Sequence, residues 1–266
     1  MPAIALANNK GGSLKTTATK NLAVALARDG ANVLILDVDP QANLSRRCGI
    51  GEEQLNTIVT ISEVIKADTP GCAADAIVEV SWPGVELAGR VDLIPSRLDL
   101  EKRVSEAAEL GAIRRLHKGL RGVGEAYDWV LFDCPPSMGH ITQMALAASD
   151  AVVIPVVPEY DSLQGATRVT DFVGDEENRL NIHAPNLRVA GVIVGMRRNI
   201  EAHNFHVNGI GELFPGLVWE PFIPAASKGT TAEDQGLPPH AYRDARSREL
   251  AEVYDALGLR LIKEVS

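Results

Sequence analysis

The stretch Asn8-Asn9-Lys10-Gly11-Gly12-Ser13-Leu14-Lys15-Thr16-Thr17 puts a glycine pair, two lysines and two threonines in one short loop. Such a loop suits phosphate when it joins a strand to a helix. Its backbone N–H groups converge on the anion and the helix N-terminus adds a favourable dipole. Lys15 supplies charge and Thr16 a hydroxyl for Mg2+. The general phosphate-loop pattern wants glycine six residues before the lysine and again immediately before it. Those places hold Asn9 and Leu14. A plain strand-to-helix turn with exposed Lys and Thr is the competing reading, and the rest of the chain must decide between them.

Two further acidic points bear on the decision. Asp37-Val38-Asp39-Pro40-Gln41-Ala42-Asn43 closes an apolar run, and Asp133-Cys134-Pro135-Pro136 closes another. Carboxylates at the C-terminal ends of strands lie where open α/β sheets bind ligands. Asp39-Pro40 could instead be a local turn. An aspartate at the tip of a buried strand needs a metal or a donor, because an unpaired buried charge is costly. Asp133 is therefore suited to organise Mg2+ through a water ligand.

The elements that must position these residues can be read from hydrophobic periodicity. Ala3 to Ala7 reads as a buried strand and Ala18 to Arg28 as a helix, with Gly30 as its stop. Further strands are expected at Asn32–Asp37, Val91–Pro95, Asp128–Asp133, Ala151–Val156, Arg188–Val194 and Trp219–Ile223. Helices are expected from Thr60 or Ser62, over Leu98–Leu120, around Ala145–Ala148, from about Ser162, and over Ala241–Val265. Arg114, Arg115, Lys118 and Arg121 fall near the end of the second of these, where cations complement the helix dipole. Alternation of strands and helices predicts an α/β fold with a mostly parallel, twisted sheet and helices on both faces. The expected organisation is a single domain over residues 1–266, without an N-terminal helix-turn-helix extension.

Composition narrows the setting. The chain has 266 residues, 45% of them apolar and 23% charged, ordinary proportions for a protein with one sizeable core. The net charge of −9 argues against a broadly basic surface, so any contact with nucleic acid must be a local patch. Cys48, Cys72 and Cys134 form no C-x-x-C pair, which points to reduced thiols and a cytoplasmic setting. No apolar run is long enough to span a membrane.

Taken together, the motifs make the chain resemble the ParA/MinD group of deviant Walker ATPases, and within it the ParA-type partition proteins. The family loop reads Lys-Gly-Gly-x-Gly-Lys-Thr-Thr, against Lys10 to Thr17 here. Its Asp-x-Asp-Pro-Gln-x-Asn motif is complete at Asp37 to Asn43, and its Asp-x-Pro-Pro motif stands at Asp133 to Pro136. A Pro-x-x-x-Glu-Tyr stretch, also typical, runs from Pro155 to Tyr160.

The resemblance implies a three-layer P-loop NTPase fold, ATP and Mg2+ as cofactors, and an ATP-dependent homodimer. In that scheme Lys10, Gly11, Gly12, Ser13, Leu14, Lys15, Thr16 and Thr17 cradle the nucleotide. Lys15 contacts the β- and γ-phosphates, Thr16 ligates Mg2+, and Asp37 and Asp133 support the metal. Asp39 orients the attacking water, and Lys10 reaches the partner subunit's nucleotide. The implied partners are a ParB-like centromere-binding protein and nonspecific DNA, with no membrane.

Two departures stand out. Leu14 replaces the glycine before Lys15, so nucleotide affinity or turnover is expected to differ from that of relatives. The family's Ile-Pro-Arg loop is here Ile223-Pro224-Ala225, which leaves Arg197, Arg198 and Lys228 as the candidate DNA contacts. Other classes are a filament-forming or scaffolding ATPase with slow turnover and a MinD-like positioning ATPase. The second needs a basic amphipathic tail, and the C-terminal segment carries Glu249, Glu252, Asp255 and Glu264. A metal-cluster reductase would need bridging cysteines that these three do not provide.

Overall fold

The computed structural model describes residues 2–175, 183–196, 201–225 and 236–265, with backbone only at 201–205 and 208. Eight strands form one sheet: β1 Ala3–Leu6, β2 Val33–Asp37, β3 Val78–Glu79, β4 Val91–Ile94, β5 Trp129–Asp133, β6 Ala151–Val156, β7 Arg188–Val194 and β8 Val218–Trp219. Their order is β3-β4-β2-β5-β1-β6-β7-β8. Every pairing is parallel except that of the short edge strand β3 with β4.

A parallel sheet needs both faces covered, and its strands are accordingly apolar on both sides. Alternate residues of β1 show the division. Ala3 and Ala5 pack into one core with Ile61, Val64 and Leu116, from helices α4 (Ile61–Ala67) and α5 (Arg115–Leu120). The same core takes Met144 and Ala145 of α6 (His140–Ala147) and Ala166 and Val169 of α7 (Tyr160–Gly174). Ile4 and Leu6 enter the other core with Leu22 and Leu26 of α1 (Lys15–Arg28) and Tyr254 and Leu257 of α9 (Ala245–Val265). The result is the three-layer α/β arrangement of a P-loop NTPase.

Two short helices, α2 (Asn43–Arg47) and α3 (Glu52–Leu55), and a longer one, α8 (Glu201–Leu213), join those that periodicity foretells. Thr60 is the N-cap of α4, and its backbone N–H donates to Glu63 Oε2 at 2.9 Å, one half of a capping box. Among the described residues no helix is long and apolar enough to cross a membrane.

The expected helix over Leu98–Leu120 is a correction. The chain there makes 3-10 turns at Leu98–Glu106 and Ala112–Arg114, and only Arg115–Leu120 is α-helical. Gly111 sits at φ +78°, in the left-handed region that interrupts a helix. Leu100 and Leu116 reach the core, but Val104 between them is half exposed and Leu110 fully so, so the apolar residues do not form one continuous core-facing stripe. The expected strand Trp219–Ile223 stops at Trp219, ahead of Pro221, which has no N–H for a ladder.

Candidate functional site

Register brings the chemistry together. In the parallel ladders, Asp133 of β5 stands opposite both Leu6 of β1 and Asp37 of β2. The loop after β1, the turn after β2 and the end of β5 therefore meet at the C-terminal edge of three adjacent strands. Ligands bind at this edge in open α/β sheets.

The loop is held from several sides. Gly12 adopts φ +76°, which no other residue type takes as cheaply. Ser13 Oγ donates to the Lys10 carbonyl at 3.0 Å, and Lys15 Nζ donates to the same carbonyl at 2.9 Å. Leu14 is the N-cap residue of α1, at φ 69° and ψ 10°. A left-handed leucine costs roughly 1–2 kcal/mol, so the packing around it must hold it there. Asn8 ties the loop to the β6–α7 connection, its Nδ2 donating to Pro155 O at 2.8 Å and Ser162 O at 3.2 Å. Gly165 of α7 permits that approach: a Cβ there would lie 2.3 Å from Asn8 Oδ1.

Lys15 is buried and Gly11 and Gly12 are exposed, so the amine lies beneath an open backbone cradle. Burial lowers the Lys15 pKa, while Asp133, Cys134 and Asp39 pull it back up. Lys10 is half exposed, and its Nζ lies 3.3 Å from Asp161 Oδ2 at the start of α7. Thr17 differs from Thr16 in that its hydroxyl accepts a hydrogen bond from Arg47 at 2.8 Å.

The aspartates fall into separate environments. Asp37 is fully buried and its oxygens are occupied: Ser45 N and Oγ donate to Oδ2 at 2.8 and 2.7 Å, and Asp39 N donates to Oδ1 at 3.1 Å. Burial nevertheless raises its pKa to about 6, against those hydrogen bonds. Asp39 Oδ1 accepts from Gln41 N at 2.9 Å, an Asx-type turn that shapes the segment ahead of α2. Asp133 is equally buried, yet neither carboxylate oxygen accepts a hydrogen bond of ordinary geometry. Its pKa is pushed well up, first by burial and then by Asp37, with the nearby Thr16 hydroxyl and Lys15 acting in the opposite sense.

A buried carboxylate beside a threonine hydroxyl offers the oxygen atoms that a hydrated Mg2+ at a phosphate loop uses, with Lys15 next to them to meet phosphate charge. Among the described residues no three His, Cys, Asp or Glu side chains form a metal cage. A Mg2+ that keeps several waters and takes phosphate oxygens needs no such cage.

Lys10 to Thr17, Asp37, Asp39 and Asp133 thus come together at one edge of the sheet. Arg197, Arg198 and Lys228 lie outside the described residues. Ser45, Arg47 and Asp161 also belong to the site, although the sequence motifs do not name them. Each is a partner chosen by the fold over a distance that no local pattern spans.

Fold and loop define a nucleotide-binding protein of the P-loop class. The AAA domain family matches residues 1–185. The sporulation initiation inhibitor protein Soj of Bacillus subtilis is 34% identical over 267 residues, covering 99% of this chain and 97% of its own. The chromosome partitioning protein ParA of Caulobacter vibrioides is 35% identical over 243 residues, 88% of this chain and 85% of its own. Among solved structures, cobyrinic acid a,c-diamide synthase from Mycobacterium smegmatis with bound ADP and magnesium superposes with a TM-score of 0.77 at 25% identity. The match covers 100% of this chain and 98% of that one. The chain belongs to the ParA/MinD family of P-loop proteins, in its ParA-type partition group.

Proposed function

We propose that this chain is a DNA-partition ATPase that binds ATP with Mg2+, dimerises around the nucleotide and hydrolyses it slowly. The observation that carries the reading is the meeting of Lys15, Thr16, Asp39 and the buried Asp133 at three adjacent strand ends. Residues 1–266 act as one unit in this scheme.

Phosphoryl transfer is mostly positioning and charge neutralisation. The backbone from Lys10 to Thr17 holds the phosphates, and Lys15 Nζ exchanges its bond to the Lys10 carbonyl for phosphate oxygens. Thr16 and Asp133 would hold Mg2+, Asp133 through water, and the ion would supply charge neutralisation at the phosphates. Asp39 orients the attacking water from the turn after β2. Asp37 supports the metal indirectly, by anchoring that turn through Ser45 and Asp39. Lys10 leaves Asp161 to reach the nucleotide of the partner subunit, so hydrolysis depends on dimerisation. Nonspecific DNA binding runs through Arg197, Arg198 and Lys228, and a ParB-like centromere-binding protein stimulates turnover. The protein works in the cytoplasm, on the nucleoid. The Soj and ParA relatives support this reading by kinship.

The test is ATP hydrolysis with and without nonspecific DNA, for the natural protein, Asp39→Ala and Lys10→Ala. Both variants are expected to lose most turnover, and DNA binding is expected only with ATP and to weaken steeply with salt. Unchanged turnover in both variants would show the mechanism to be wrong.

A further inference from the structure

Leu14 is held by its surroundings. A Cβ built on Gly195, the residue just after β7, would lie 2.0 Å from Leu14 Cδ1, 3.5 Å from Leu14 Cγ and 3.6 Å from Ile223 Cβ. The leucine side chain thus fills the space that any larger residue at 195 would need. Gly195 is not required for its backbone, because its φ lies outside the left-handed region. Room for Leu14 is what a glycine provides there.

The residues around the leucine are themselves tied into the sheet. Gly195 N donates to Val156 O at 2.8 Å, and Ile223 N donates to Val194 O at 2.9 Å. These bonds tie the end of β7 to β6 on one side and to the segment after β8 on the other. Leu14 is adjacent to Lys15, and its carbonyl accepts the first helical bond of α1, from Ala18 N at 2.8 Å. A push on the Leu14 side chain therefore moves the backbone that delivers Lys15 and the last N–H groups of the loop.

We infer that Leu14 and Gly195 are a matched pair in which Gly195 is a positioning residue for the phosphate loop. The contact clips the loop to the end of β7 and holds it in the form that receives the phosphates of ATP. The inference rests on the nucleotide reading given above. It makes the unusual leucine a packed part of the site, and it makes nucleotide affinity depend on a residue in a different loop.

A double-mutant cycle tests it, using the natural protein, Gly195→Ala, Leu14→Gly and the double variant. Two quantities are measured: affinity for a fluorescent ATP analogue with Mg2+, and thermal unfolding without nucleotide. In the Leu14 background Gly195→Ala is expected to weaken the analogue about five- to tenfold, and in the Leu14→Gly background less than about twofold. Thermal unfolding is expected to show the same rescue, so the packing claim is tested even if binding by the single variant is too weak to measure. Equal losses in both backgrounds, with the natural protein binding normally, overturn the pairing alone. Failure of the natural protein to bind the analogue overturns the nucleotide reading as well.

Discussion

Asp133 stands directly across from Asp37 in the parallel register of β5 and β2, and the two buried carboxylates are left in opposite conditions. Asp37 accepts three hydrogen bonds from Ser45 and Asp39, whereas Asp133 accepts none of ordinary geometry and has only the Thr16 hydroxyl close by. The difference separates an anchor from a free acceptor, and it predicts different phenotypes. Asp133→Asn should leave thermal stability without ligand unchanged or raised, since burial disfavours the charged carboxylate more than Thr16 and Lys15 favour it. It should also raise the Mg2+ concentration needed for half-maximal ATP binding. A titration of Mg2+ against a fixed nucleotide concentration, beside a melting curve, checks both.

Ser45 joins two loops. Its hydroxyl donates to Asp37 Oδ2 at 2.7 Å and accepts from Ser96 N at 2.9 Å, with all three residues buried. Ser45→Ala leaves one buried donor and one buried acceptor short, at a cost of about 1–3 kcal/mol. Denaturant unfolding should show that loss with an unchanged m-value.

Lys10 and Asp161 form an ion pair whose side chains are 41% and 67% exposed, so the pair contributes at most about 1 kcal/mol. Lys10 can therefore leave it without much resistance. Asp161→Asn should strengthen ATP-dependent dimerisation by less than about fivefold, whereas Lys10→Ala should abolish it. Sedimentation at graded protein concentrations distinguishes the two.

His117 and His140 supply a pH signature away from the nucleotide edge. Both pKa values lie below the ordinary 6.5, first through burial and then through Arg114 and Arg121 beside His117 and Arg115 beside His140. The unfolded chain then binds more protons than the folded one between the lowered values and 6.5. Stability should rise as pH rises through that window and level off above 6.5. The double variant His117→Gln/His140→Gln should flatten the rise in a series of melting curves.

The strands that carry the site were legible because a buried parallel strand is a continuous apolar run. Ala151–Val156 and Arg188–Val194 have the expected bounds, and β2 and β5 each start one residue later than expected. The phosphate loop and both aspartate motifs could be read because their chemistry is local in sequence. What stayed hidden depends on contacts between distant segments. Gly191 looks like an ordinary strand residue, yet a Cβ there would lie 2.1 Å from the Trp219 ring. Only the pairing of β7 with β8 reveals that. The segment Leu98–Leu120 misled for a related reason: its apolar residues follow a helical period, but Arg103, Glu106, Arg115 and Glu109 link into ion pairs that hold tighter turns. Leu14 could be seen as unusual from sequence, whereas its fit against Gly195 could not.

In the proposed cycle ATP, held over Lys15, brings two chains together through Lys10. Analytical ultracentrifugation in Mg2+ with no nucleotide, with ADP and with ATP measures this most directly. The natural protein should sediment as a dimer only with ATP, Asp39→Ala should remain dimeric for longer after ATP is added, and Lys10→Ala should stay monomeric throughout. A natural protein whose sedimentation is the same with and without ATP would rule out ATP-driven dimerisation.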